Sequence, residues 1–525
     1  MVDKIARYWR TIKYLKPIQL RYQFYFRFRK LFDKKKVLFT HDLPHPVNYQ
    51  IEHADWIPTY ETYQNGEFRF LNKTKSFDGT IDWNFKDFGM LWAYNLNYFE
   101  YLLQPSISRE TGLKYINHFI ENIESNTVGL DPYPISLRTI NWIKFCLKFE
   151  VQDSSFLYKS LYGQLLRLKE NIEYHILGNH LLENGCALFI GGIYFQDQNL
   201  LKRGKKILQE QLNEQILSDG GHYERSPMYH QILLSRLLDC YNLAKHTKLL
   251  EPQFTAFLKG KVKLMLGWLY SVTFRDGTIP KVNDAADGIA PSTKDLRMYA
   301  RRLGIEQQET ELGESGYVQV KAEKFEWFID VGNVGPDYIP GHAHSDTFSF
   351  ILHVHDKPVI VDTGISTYEE CDRRVEERST AAHNTVKINE IEQTEVWKSF
   401  RVGRRAKVTN VQMQSHCITA WHNGYEHIGV IHERTFKWQS DSLTIEDELK
   451  RSDKFISKAY IHFHPRVNVS HQDDTIIADD ITILIEGAEK VEIKSYKYAA
   501  GFNQLQPARV LELTFRQSLK TRIII

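Results

Sequence analysis

The chain has 525 residues, more than one hydrophobic core accommodates, so two or more domains are expected. With 42% hydrophobic and 25% charged residues it is not a disordered or low-complexity protein. A net charge of +2 and a pI of about 8.1 provide no global field that would select nucleic acid, and no apolar run reaches the ~20 residues that span a bilayer.

Residues 1–36 hold twelve Lys or Arg against two acids, Asp3 and Asp33, interleaved with aromatics in RYQFYFRFRK. This composition suits either a weak membrane-surface contact or a basic helix packed on the body of the protein. The segment lacks the apolar stretch and small-residue cleavage site of a signal peptide. The expectation is therefore a cytoplasmic protein, with a periplasmic or membrane-associated one as the alternative. Cys146, Cys186, Cys240, Cys371 and Cys417 share no C-x-x-C spacing and read as buried free thiols.

From about Asp82 to Gly304, segments such as RTINWIKFCLKF and HQILLSRLLDCYNLAKH repeat apolar residues at three- and four-residue intervals, predicting helical hairpins. After about Leu312 the pattern changes. FEWFIDVG, TFSFILHVH, KPVIVDTG, HNTVKIN, SLTIEDEL and SKAYIHFHPRV predict an antiparallel β-sandwich. Helices first and strands second mean separate domains and not an α/β sheet.

Four polar clusters interrupt these elements. GNHLLENG (Gly178–Gly185) opens a helix after a glycine turn, with Asn179, His180 and Glu183 inside one turn and His180 and Glu183 on one face; the alternative is Asn179 as a cap with Glu183 facing solvent. DGGHYERSPMYH (Asp219–His230) brings Tyr223, Glu224, Arg225 and Tyr229 before an apolar helix, and its tyrosines suit proton transfer or satisfied core positions. RDGTIPKVNDAADG (Arg275–Gly288) is a polar loop that helps wall a cleft and carries the weakest catalytic signal of the four. The fourth cluster joins GHAHSDTFSFILHVHDKPVIVDTG (Gly341–Gly364) to RSTAAHNTV (Arg378–Val386). His342 and His344 point the same way in an extended segment. His344, Asp362 and His383 supply an N/O/N set of the kind zinc takes. A tight turn at Asp356-Lys357 would set Asp362 opposite Ile351, so such a site needs the His344–Asp346 segment to curl back.

These motifs, with WAYNLNYFEYLL and DPYPISLRTINWIKF upstream, resemble the heparinase II/III-like polysaccharide lyases from about Trp92 to about Arg466. The resemblance implies an (α/α) toroid of helical hairpins over residues 81–305, then an antiparallel β-sandwich over 312–525. Residues 1–80 form a basic extension packed on the toroid, and the active site lies between the two domains. It implies β-elimination on a uronic-acid-containing acidic polysaccharide. The C5 proton of a uronate becomes removable once its carboxylate is neutralised by preorganised donors, and a base and an acid then serve C5 and the O4 leaving group. Asn179 and His180 resemble the neutralising pair, with Glu183 supporting. Tyr229 resembles the catalytic tyrosine; Tyr223 competes for that place, and Arg225 stands beside both. His342 resembles the histidine contributed by the sandwich. His344, Asp362 and His383 resemble the ligands of a structural zinc, and no organic cofactor is implied.

The basic N-terminus resembles that of a branch associated with bacterial surface-polysaccharide synthesis, which favours a capsule or exopolysaccharide over heparin as substrate. A non-catalytic glycan-binding or assembly protein would not require Asn179, His180, Tyr229 and His342 together. A metal-dependent hydrolase usually places its HxH motif early, after the first strand of a β/α barrel, and not at the opening of a sandwich.

Overall fold

In the computed structural model, residues 2–32, 56–151, 155–306, 308, 310–451, 454–472 and 475–525 are described. Helices α1 (Val2–Ile12) and α2 (Pro17–Phe32) come first. A small meander of β1 (Tyr63–Gln64), β2 (Glu67–Phe70) and β3 (Lys73–Ser76) follows. Then come α3 (Met90–Tyr98), α4 (Arg109–Glu121), α5 (Pro132–Lys148), α6 (Ser155–Glu170), α7 (Gly178–Tyr194), α8 (Gln198–Gln215), α9 (Pro227–Lys245), α10 (Pro252–Val272) and α11 (Thr293–Arg302). Odd-numbered helices α3, α5, α7, α9 and α11 pack one against the next, while α4, α6 and α8 form a second row. The result is a two-layer array of antiparallel hairpins. In α7 every residue but His180 is buried, which a helix apolar on all sides requires at the centre of such an array.

From Tyr317 onward, period-two patterning takes over. The strands are β4 (Tyr317–Lys321), β5 (Phe325–Asp330), β6 (Phe350–Val354), β7 (Lys357–Ile360), β8 (Val386–Ile388), β9 (Val396–Trp397), β10 (Arg401–Val402), β11 (Val408–Gln414), β12 (Cys417–His422), β13 (Ile431–Trp438), β14 (Ser442–Lys450), β15 (Ser457–His462), β16 (Val469–Gln472), β17 (Thr475–Ala478), β18 (Ile481–Glu486), β19 (Lys490–Gly501), β20 (Gln504–Phe515) and β21 (Ser518–Ile524). A short helix, α12 (Asp372–Arg378), lies between β7 and β8. One layer is an eight-stranded sheet, β11-β12-β13-β14-β21-β18-β17-β16. The other combines β4-β5-β6-β7 with β19-β20-β15-β8, joined by a bridge between Ile360 and Phe463. Trp327 and Phe350 from one layer and Phe436 and Ile445 from the other meet in the sandwich core.

Strand β5 joins the two halves. Phe325, Trp327 and Ile329 point into the sandwich core, while Phe328, with Ile351 of β6, enters the helical core beside Trp268 and Tyr317. With both faces covered, FEWFID reads as a continuous apolar run and not as an alternation.

Several details differ from expectation. The β6–β7 turn is His355-Asp356, one residue earlier than expected, with φ of 49° and 60° as a type I′ hairpin turn requires; this sets Ile360 opposite Leu352. Cys371 is exposed and Cys417 half-buried, while Cys146, Cys186 and Cys240 are buried. The meander β1–β3 was not foreseen; its Phe68 and Phe70 fill the helical core. Residues 33–55 of the expected N-terminal extension lie outside the described residues. Among the described residues, no helix is long and apolar enough to cross a membrane.

Candidate active site

The N-terminus of α7 is built at a strained turn. Leu177 has φ 69° and ψ −151°, and Gly178 has φ 60°, conformations that persist only where the surroundings enforce them. Gly178 is also needed for space, since a Cβ there would lie 2.7 Å from Glu224 Oε1. That approach lets the Asn179 backbone N–H and Nδ2 donate to the Glu224 carboxylate at 3.1 and 3.2 Å. Glu224 is fully buried, and burial holds its carboxyl above the usual range even though His342, Asn179 and His180 pull the other way.

The start of α9 is fixed in a similar way. Ser226 caps the helix by accepting from the Tyr229 N–H at 3.3 Å and donates to the Asp284 carbonyl at 2.7 Å. Tyr229 therefore sits in the first turn of a helix, not in the loop the sequence pattern indicated. Its ring lies over the His342 imidazole, centroids 4.1 Å apart, and its hydroxyl is 3.3 Å from that of Tyr368. Burial, reinforced by Asp284, keeps the Tyr229 phenol well above its ordinary pKa.

Asp284 is the hub. Its Oδ1 accepts from Arg374 Nη1 at 2.5 Å and His344 Nε2 at 2.9 Å; its Oδ2 accepts from Arg374 Nη2 at 2.6 Å and His342 Nδ1 at 2.8 Å. These four donors fill the acceptor capacity of an ionised carboxylate. Burial alone would raise its pKa, but Arg374 and the two histidines hold it well below the carboxylate range. An ionised acceptor at Nδ1 fixes the proton of His342 there and leaves Nε2 as a lone pair. That Nε2 lies 3.7 Å from Glu224 Oε2. Asn179, Glu224, His342, Tyr229 and Tyr368 thus form one continuous polar chain where the helical array meets the sandwich.

His180 stands beside this chain. Its Nδ1 is 3.1 Å from Glu173 Oε1 and its ring is 4.3 Å from that of Tyr133. Burial disfavours the imidazolium, but Glu173, Glu224 and Glu183 outweigh it, so the pKa of His180 lies above the usual value.

Other expected residues take different places. Glu183 shares no target with His180 and does not face solvent: it is buried and bonded to Arg236 Nε at 2.8 Å. Asp239 ties both Arg236 and Lys144 into the same buried ion network. Helical spacing put the two on one face, but side chains three apart diverge enough to serve a cleft and a core. Asn179 is inside the first turn and is not the cap, which is Leu177. Tyr223 is buried beside Gly178, its hydroxyl accepting from Tyr338 at 3.2 Å. The Arg225 guanidinium turns away to the Glu314 carbonyl at 3.3 Å, while its own carbonyl accepts from Tyr317 and Asn283.

The expected zinc ligands are brought together as a hydrogen-bonded set. His383 Nδ1 donates to Asp362 Oδ2 at 2.7 Å, and the His344 and His383 rings are 5.2 Å apart. Burial lowers the pKa of His344 to about 3, so it is neutral, with Nε2 committed to Asp284. His344 Nδ1, His383 Nε2 and Asp346 Oδ2 are buried without hydrogen-bond partners, donor chemistry of the kind zinc takes. Among the described residues, however, no three His, Cys, Asp or Glu side chains converge closely enough to hold a metal ion.

Four residues of the cluster had been given no role: Glu224, Asp284, Tyr368 and Arg374. Asp284 belongs to the polar loop whose signal was weakest. Its partner Arg374 is 90 positions away, and no local spacing announces such a pair.

An array of helical hairpins followed by an antiparallel sandwich, with a polar cluster at their junction, defines a two-domain class of protein. The family descriptions that match are "Heparinase II/III N-terminus" over residues 137–303 and "Heparinase II/III-like, C-terminal" over residues 306–525. The chain belongs to the heparinase II/III-like family. A heparin-sulfate lyase of Bacteroides stercoris is 24% identical over 254 residues, covering 42% of this chain and 37% of the relative. One from Bacteroides thetaiotaomicron is 25% identical over 240 residues, covering 40% and 34%. The matched region thus spans about a third of each curated relative. Among solved structures, a heparinase III superposes with a TM-score of 0.65 at 15% identity, covering 98% of this chain and 92% of the other. The heparan sulfate lyase of Pedobacter heparinus gives 0.54 at 14%, covering 96% and 88%. These similarities establish the fold.

Proposed function

We propose that the protein is a polysaccharide lyase that cleaves a uronic-acid-containing acidic polysaccharide by β-elimination. The observation that carries this reading is the His342 imidazole, locked by Asp284 and stacked on Tyr229, within reach of the Asn179–Glu224 pair. Asn179, His180, whose neighbouring carboxylates favour the imidazolium, and Glu224, whose burial favours the protonated acid, meet the substrate carboxylate and neutralise it. His342 Nε2 removes the C5 proton. The C5–H electron pair forms the C4=C5 bond, the C4–O4 bond breaks, and Tyr229, held protonated, donates to O4. Arg374 and Asp284 position His342 without touching substrate. For the substrate, a bacterial capsule or exopolysaccharide is proposed in preference to heparin, on the resemblance of the basic N-terminus.

The test is ultraviolet absorbance during incubation with a panel of acidic polysaccharides, since elimination leaves an alkene conjugated to the carboxylate and hydrolysis leaves none. A signal that rises with the native protein and is lost in His342→Ala is expected. Silence across the panel with glycan binding intact overturns the lyase reading in favour of a binding or assembly protein. A structural zinc held by His344, Asp362 and His383 is proposed as a brace for the loop carrying His342, binding that would draw the three side chains closer than their present hydrogen-bonded arrangement; the proton transfers are assigned to side chains alone. Metal analysis of the purified protein is expected to find zinc that His383→Ala loses, and a metal-free native protein refutes the brace.

A further inference from the structure

Helix α1 is amphipathic but turned inside out. At 100° per residue, Ile5, Tyr8, Trp9 and Ile12 fall within an arc of roughly 100°. A surface helix normally buries such a stripe against the core. Here Ile5 is 64% exposed, Trp9 68% and Ile12 45%. The opposite, polar side of the helix docks on the sandwich, joined by Tyr8 at the edge of the stripe, whose ring meets that of Trp397 edge-on at 5.0 Å. Arg10 pairs with Glu395 at 2.7 and 2.8 Å, Arg7 reaches the same carboxylate at 3.0 Å, and Thr11 Oγ1 accepts from Trp397 Nε1 at 3.2 Å. Arg405 stacks on the Tyr14 ring at 3.7 Å.

Helix α2 repeats the arrangement. Leu20, Phe24 and Phe28, spaced by four, are exposed, the two phenylalanines at 63% and 66%. Its attachment is mixed: Gln19 donates to the Ile176 and Tyr338 carbonyls, while the rings of Tyr22 and Phe26, on the other side of the helix, pack on Tyr174 and His175. Lys16, in the link between the helices, pairs with Glu214. Exposed Lys4 and Lys13 flank the stripe of α1, and Arg21 and Arg27 flank that of α2.

We propose that α1 and α2 form a docking face for a membrane surface carrying anionic headgroups, with the apolar stripes entering the acyl boundary and the flanking cations meeting the headgroups. Three features favour this occupant. Exposed apolar side chains at helical spacing on two successive helices mark an interaction surface. An amphipathic helix with cations bordering its apolar face is the form that lies in a bilayer interface. An acidic polysaccharide would satisfy the cations and stack on Trp9, Phe24 and Phe28, but it would leave the aliphatic Ile5, Ile12 and Leu20 in water, whereas a bilayer interface covers both kinds of side chain. The proposal is independent of the lyase reading, because it uses no residue of the candidate active site.

The full chain is to be sedimented with vesicles of phosphatidylcholine alone and of phosphatidylcholine and phosphatidylglycerol in equal parts. Partition into the anionic vesicles is expected to exceed that into neutral ones by roughly tenfold or more and to weaken as salt is raised. The variant carrying Ile5→Ser, Trp9→Ser and Ile12→Ser is expected to lose roughly tenfold or more of that partition. Because these side chains are exposed, its unfolding curve is expected to overlay that of the native protein. Three outcomes overturn the proposal. One is no binding to either vesicle, as if another part of the chain covers the stripes. Another is capture by soluble acidic polysaccharide in place of vesicles. The third is a dimer in ultracentrifugation that the triple variant dissociates, which would assign the face to a second copy.

Discussion

Replacing Asp284 by asparagine exchanges one buried oxygen for an amide nitrogen that can only donate. Four donors now meet Asp284, and the side chains of Asp284 and Arg374 are both 0% exposed. Hydrogen bonds to a charged group are worth about 1.5–3 kcal/mol each, but they are not lost independently. The dominant cost is leaving the Arg374 guanidinium buried without its counter-charge, about 3–5 kcal/mol. Urea unfolding of Asp284→Asn should show a loss of that size. Turnover, read as the ultraviolet signal of the unsaturated product, should fall roughly 10³-fold or more, because nothing then fixes the His342 proton at Nδ1. The two effects separate in the double variant Asp284→Asn with Arg374→Met. Removing both charges should restore much of the stability, while turnover stays low. A single variant with native stability and native turnover would refute the reasoning. A double variant no more stable than the single one would show that charge compensation is not what the network provides.

The two candidate tyrosines should separate cleanly: Tyr229→Phe is expected to lose roughly 10²–10⁴-fold in kcat with an unchanged unfolding curve, whereas Tyr223→Phe keeps native turnover. The reverse result would transfer the acid role to Tyr223. Glu224, raised by burial, must be protonated to donate to the substrate carboxylate, so kcat/KM should fall as pH rises through its raised pKa. Glu224→Gln donates at every pH, and a pH profile that keeps the same alkaline limb would exclude Glu224 as its source. Glu395 makes a stability prediction. Burial would raise its pKa, but hydrogen bonds from Arg10, Arg404 and Arg7 bring it down to about 2. A depressed carboxylate contributes above its unfolded pKa and loses that contribution as pH falls through the folded value. Glu395→Gln should therefore destabilise the docked α1 by about 1 kcal/mol at neutral pH, after allowance for solvent screening. The difference should fade below pH ~4, as read by proteolysis of the N-terminal segment.

What was readable in the sequence followed local periodicity. FEWFIDVG, TFSFILHVH and SKAYIHFHPRV became strands because alternation or continuous apolar character directly reflects which faces are covered. The junction between the halves was announced by the change from period 3.6 to period 2. The meander at residues 63–76 carries one hairpin signal, QNG; its second turn, Leu71-Asn72 at φ 52° and 60°, uses a leucine that no turn rule anticipates. At the site, histidines and tyrosines stood out by residue type, but the burial that gives Glu224 its raised pKa is a property of the assembled fold. Glu183 looked equivalent to His180 by spacing, yet a helix covered on all sides gives no sign of which side chain meets a cleft and which meets Arg236. Asp284 was hidden because its meaning lies entirely in partners 58, 60 and 90 positions away.

The strands and helices that carry the polar cluster belong to different halves of the molecule, and Asp284 is bonded to both: its carbonyl holds Ser226 at the start of α9, while its carboxylate holds His342 and Arg374. Completing the site and closing the joint between the halves are therefore a single equilibrium. A ligand that recognises only the completed cluster must act as mortar, strengthening the joint by RT ln(1 + [L]/Kd). Bound glycan should thus slow exchange of amides along β5, where Trp327 and Phe328 face opposite cores, well beyond any residue the glycan touches.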